Sequence, residues 1–102
     1  MHYEKGVYML VSDMFLDLGY GFKVAMKEVF AIMPMNVSTS KELFRKYYRD
    51  GKVLRATKGR KASSYLLLNN GMVFTSTYTT DELTERIWEL KRVARAIDYV
   101  KA

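Results

Sequence analysis

The chain has 102 residues, 49% of them hydrophobic, with no cysteine and a formal net charge of +6 at pH 7. That size and balance point to one small globular domain and exclude disulfides and cysteine-based zinc modules. No apolar run approaches the ~20 residues of a membrane span, and Met1–Gly19 makes a poor signal peptide, so a soluble, cytoplasmic, basic protein is expected, without membrane contact. The charge is local. Lys41 to Lys61 holds nine of the seventeen Lys and Arg residues against Glu42 and Asp50, a net +7, while the remainder carries −1.

Residues 1–13 read as an N-terminal extension and residues 14–102 as a single domain. Met14, Leu16 and Leu18 alternate with Phe15 and Asp17, the pattern of a half-buried strand. Gly19-Tyr20-Gly21 supplies a turn, and Phe22 to Met26 returns as the hairpin partner. Val29 to Met33 is a further strand that Pro34 stops. Ser38-Thr39-Ser40 offers capping hydroxyls, with Thr39 and Glu42 spaced as a capping box, for a helix running to about Asp50 and stopped by Gly51. Leu43, Phe44, Tyr47 and Tyr48 fall on one side of that helix, and Lys41, Arg45, Lys46 and Arg49 on the rest. Val53 to Ala56 reads as a strand, Thr57 to Lys61 as a loop and Ser64 to Leu68 as a strong strand. Asn69-Asn70-Gly71 predicts a hairpin turn with positive φ at Asn and Gly, and Met72 to Thr77 is the partner strand. A second capping box, Thr79 with Glu82, opens a long C-terminal helix from about residue 80, acidic in its first turn and basic later, as the macrodipole favours. The expected class is α+β, a small, mostly antiparallel sheet with one mid-chain helix and a long C-terminal helix.

The loop Thr57-Lys58-Gly59-Arg60-Lys61 carries the sharpest chemical signal. Gly59 lets the backbone bend, and three cations on a short loop suit phosphates, with Arg60 also able to reach a guanine edge through two hydrogen bonds. A solvated turn would carry the same charges; the basic helix and Arg55 favour a nucleic-acid surface. No Walker-type phosphate loop is present. Tyr47 and Tyr48 stand among the cations but share helical spacing with Leu43 and Phe44, which favours packing over base stacking. On the last helix Leu83, Ile87, Leu90, Ala94 and Ile97 form the core face. Trp88, Arg92, Arg95 and Tyr99 gather on the opposite side, either as arginines stacked on exposed rings or as an oligomer interface. Catalysis and metal binding find no support: His2 is the lone histidine, and Asp13 and Asp17 make a weak metal site. No cofactor is expected.

With these residues in view, the chain resembles the RemA family, small bacterial DNA-binding regulators of extracellular-matrix genes. The likeness runs from about Met14 to Leu90. It rests on LDLGYG at Leu16–Gly21, the helix ending in Asp50-Gly51, and above all ATKGRK at Ala56–Lys61. The resemblance implies a non-enzymatic, sequence-selective binder of double-stranded promoter DNA, with a fold like that of LytTR-type DNA-binding domains. It also implies a ring-shaped homo-oligomer serving biofilm-matrix expression, with no obligatory small-molecule ligand. The family's paired basic residues after the glycine fall on Arg60 and Lys61, and the DNA-binding set becomes Arg60, Lys61, Lys58, Gly59, Arg55 and Lys27. A third family arginine would fall at Glu28, and neighbouring Lys27 is its candidate substitute. Two other readings stay open on the residues alone. One is an RNA-binding accessory protein that stacks bases on Tyr20, Tyr47 or Tyr48. The other is an interaction module for an acidic protein.

Overall fold

The computed structural model describes residues 10–101, with side-chain surroundings for residues 10–95 apart from Ser12. His2, Ile97 and Tyr99, named above for their side chains, lie outside that description. The elements in chain order are β1 (Phe15–Gly19), β2 (Phe22–Ala25), β3 (Val29–Pro34), α1 (Ser38–Arg49), β4 (Val53–Leu54), β5 (Ser64–Leu68), β6 (Val73–Ser76) and α2 (Thr80–Lys101), with short 3-10 turns at Val11–Asp13 and Met26–Glu28. The expected α+β class is the one found. β1 and β2 form an antiparallel two-stranded sheet, and a four-stranded sheet runs in the order β3-β5-β6-β4. Among the described residues only the β4–β6 pairing is parallel. Among the described residues no helix is long and apolar enough to cross a membrane.

β5 is the centre of the molecule because it is buried on both faces. On one face Leu66 and Leu68 join Leu16 and Leu18 of β1, Val24 of β2 and Leu83 of α2 in one cluster. On the other face Tyr65 packs against Phe44 of α1, ring centroids 5.2 Å apart. Its phenol donates to the Ser40 carbonyl, and the Ser40 hydroxyl donates to the phenol oxygen. The sheet thus lies between α1 and the β1–β2 hairpin with α2. Burial raises the Tyr65 pKa above its ordinary 10.0, partly countered by the Ser40 hydrogen bond. Folding therefore favours the neutral phenol, a contribution present below pH 10 and lost as the pH climbs through the raised value. The two sheets are stitched by the Ser76 hydroxyl, which donates to the Leu18 carbonyl at 2.9 Å.

Several local expectations are corrected. The Thr39–Glu42 capping box does not form: α1 begins two residues earlier, after Val37, without any side-chain cap. Pro34 does not stop β3 but is its last residue, paired with Ser64; an edge strand tolerates proline because its outward side needs no N–H donor. The strand expected over Val53–Ala56 closes at Leu54. In the Asn69–Gly71 turn only Gly71 takes positive φ, at +86°. Gly71 N–H donates to Leu68 O and Leu68 N–H to Met72 O, the three-residue hairpin in which a left-handed glycine follows a type I turn. The second capping box does form, with Thr79 N–H on the Glu82 carboxylate and Glu82 N–H on the Thr79 hydroxyl.

Candidate nucleic-acid interface

The loop between β4 and β5 is fixed at its root before its cations emerge. Ala56 and Thr57 are buried, and Ala56 N–H donates to the Thr75 hydroxyl at 3.1 Å. The chain then reverses through Lys58 (φ +55°) and Gly59 (φ +82°), with Arg60 N–H returning to Thr57 O at 3.0 Å. Positive φ at both central residues is a type I′ turn. Its exit is pinned again, Ser63 N–H to Ser76 O at 2.9 Å and Met35 N–H to Ser63 O at 3.0 Å. Lys58, Gly59, Arg60 and Lys61 are therefore exposed on a short, anchored reversal. A Cβ on Gly59 would meet nothing within 4 Å, so the glycine is required by its φ rather than by space.

A second turn of the same kind faces it. Tyr20 (φ +55°) and Gly21 (φ +84°) connect β1 to β2, and the Arg60 guanidinium lies 5.7 Å from the Tyr20 ring centroid. Among the described residues, Tyr20 and Lys58 are the two non-glycine positions with positive φ. Each costs roughly 1–2 kcal/mol, and such outliers gather at functional sites more than elsewhere. Replacing Lys58 with asparagine, which tolerates this region, is expected to raise stability by up to ~1 kcal/mol while weakening nucleic-acid binding modestly. An unchanged or lower urea midpoint would contradict the strain.

Arg55 is placed by a residue assigned to packing from the sequence. Tyr48 is exposed; its hydroxyl accepts from Arg55 at 3.0 Å, and the guanidinium sits 5.1 Å from the ring centroid. Arg55, Arg60, Lys61 and Lys41 all line one groove of about 850 Å³, in which Asp81 is the sole carboxylate. The acidic residues concentrate elsewhere: Asp17, Glu82, Glu85 and Glu89 line a smaller groove between β1 and α2.

Lys27 is not part of this cluster. Its carbonyl accepts from Asn69 Nδ2 at 2.8 Å, at the far end of β5 from the loop, roughly 16 Å of strand away. The Trp88 face is also separate. Trp88 is 58% exposed, and the cation over its ring is Lys91, at 4.9 Å, not an arginine. Arg92 pairs with Glu89 instead, and Arg95 is exposed. Sequence reasoning missed the roles of Tyr20 and Tyr48 as cradles for Arg60 and Arg55. A tyrosine between two glycines was the available sign for the first. For the second, helical periodicity pointed to Phe44, on which the Tyr48 ring does stack at 6.2 Å between centroids, and gave no sign of Arg55.

The match to known proteins spans the hairpin, the sheet and about the first third of α2. Residues 15–87 match the model of the RemA-like family, described as extracellular matrix regulatory protein A-like. A protein of Desulfatibacillum aliphaticivorans named as a regulatory protein is 33% identical over 76 residues, covering 74% of this chain and 85% of that protein. Another so named, from Thermodesulfovibrio yellowstonii, is 26% identical over 80 residues, covering 78% and 94%.

Proposed function

The chain belongs to the RemA-like family, and from that premise we propose that it is a non-enzymatic transcriptional regulator that binds double-stranded DNA through the Lys58–Lys61 turn. The observation that carries this reading is the turn itself. A buried Ala56-Thr57 root, a left-handed Lys58-Gly59 reversal and an Arg60 seated beside Tyr20 present three cations on a fixed frame. Fixed cations lose little freedom on contact and hold a register along phosphates. The regulatory names of the relatives support a regulatory rather than catalytic role. Its genes would be those of the extracellular matrix, as the family description suggests. A duplex of 20–30 base pairs should compete for the protein far better than single-stranded RNA of equal length. Equal competition would turn the assignment toward RNA.

The same reading includes a closed homo-oligomer. Head-to-tail contacts between copies close into rings, and a ring would repeat the basic turn around a bent duplex whose deformation costs about 1–6 kcal/mol. The exposed Trp88 is the anchor we assign to the contact between copies, since Trp and Arg dominate such interfaces. Trp88→Ala is expected to shift the light-scattering mass to smaller species. An unchanged mass would remove α2 from the interface.

A further inference from the structure

We infer that the groove beside the basic turn is a seat for a nucleoside phosphate, its phosphates held by Lys41, Arg55, Arg60 and Lys61 and its base by Pro34, Met35 and Phe44. The four cations share the lining with a single carboxylate, Asp81, a net +3 over fifteen residues and denser than the chain's +6 over 102. The groove's volume, about 850 Å³, falls within the range of small-ligand sites. An apolar side formed by Pro34, Met35 and Phe44 offers a flat base what a phosphate does not need.

The floor supplies an independent sign. Thr57 is only 3% exposed and lines the groove, yet its hydroxyl has no hydrogen-bond partner among the described residues. A buried hydroxyl without a partner is destabilising unless something fills the site. Thr75, also on the floor, accepts from Ala56 N–H and keeps its own proton to donate. Asn36 and Lys41, on either side of the start of α1, line the same groove, and α1 carries neither a side-chain cap nor an acidic residue in its first turn. Hydroxyls and cations are donors that phosphate esters take.

Arg55, Arg60 and Lys61 would then be shared between DNA and the small ligand. The competitive consequence rests on the DNA reading; the binding site itself does not. ADP serves as the probe, titrated calorimetrically into the full chain at low salt beside adenosine and inorganic pyrophosphate. ADP should saturate one site per chain, with adenosine and pyrophosphate each at least tenfold weaker. Thr57→Val should weaken ADP about tenfold, the worth of one hydrogen bond to a charged group. Lys41→Ala, an exposed change that spares the core, should also weaken ADP. ADP should raise the apparent Kd for duplex DNA, and in Thr57→Val about tenfold more ADP should be needed for the same effect.

No saturation by ADP overturns the proposal. So does pyrophosphate binding as tightly as ADP, or ADP affinity unaltered in both variants. DNA binding without ADP binding would end this proposal alone, whereas ADP binding without DNA binding would end the DNA reading and leave the groove standing.

Discussion

Arg60→Ala should lose at least tenfold in affinity for duplex DNA while its thermal midpoint and light-scattering mass stay at wild-type values. The Arg60 backbone N–H closes the turn onto Thr57 O, and alanine keeps that bond. Its guanidinium is exposed and rests near the Tyr20 ring, so no core contact is removed. What is lost is the fork of donors that can take a phosphate or a guanine edge, the latter worth about 1–3 kcal/mol of discrimination. Lysine at this position should recover part of the affinity, because the charge returns, but not the selectivity, because the fork does not. Tyr20→Ala should produce a smaller loss of the same kind, about two- to fivefold, since an exposed cation–π contact is worth ~0.5–1 kcal/mol. A gel-shift titration of the three variants orders them. Wild-type affinity for Arg60→Ala would remove the turn from the interface.

Much of this frame is written in local patterns. Period-two alternation marks Met14, Leu16 and Leu18 as buried, and all three are. Ser64–Leu68 stands out as a short apolar run, and it is the strand buried on both faces. The Thr79–Glu82 box is legible because its partners are three residues apart and reach only each other's amides. The failures share a cause. Thr39–Glu42 has the same spacing but is not the helix start, because Ser40 is drawn under the sheet to bond Tyr65 and α1 extends back to Ser38. Tyr48 stacks on Phe44 as its periodicity suggests, but it also takes Arg55 from across the turn at Gly51, which no helical pattern states. The pairing of the Tyr20 and Arg60 turns joins positions forty residues apart in the chain. No pattern within either segment states it. Lys27 stands apart from that turn: its carbonyl accepts from Asn69, just past the end of β5 opposite the Arg60 loop.

Affinity for duplex DNA should fall steeply with salt, by roughly a hundredfold per protomer between 50 and 200 mM. Each phosphate neutralised releases counterions and contributes ~0.9 to the slope of log K against log salt. Lys58, Arg60 and Lys61 on the turn and Arg55 beside it are the four cations in reach, so one protomer should give a slope near −3.6. If several protomers share one duplex, the slope steepens with their number. The slope thus counts engaged turns without needing a mass. Arg60→Ala with Lys61→Ala should reduce it by ~1.8 per engaged protomer, whereas Lys27→Ala should change it by no more than one contact. A flat response in the wild type would mean that the +7 segment does not meet phosphates, and the charge of the turn would then serve a partner other than nucleic acid.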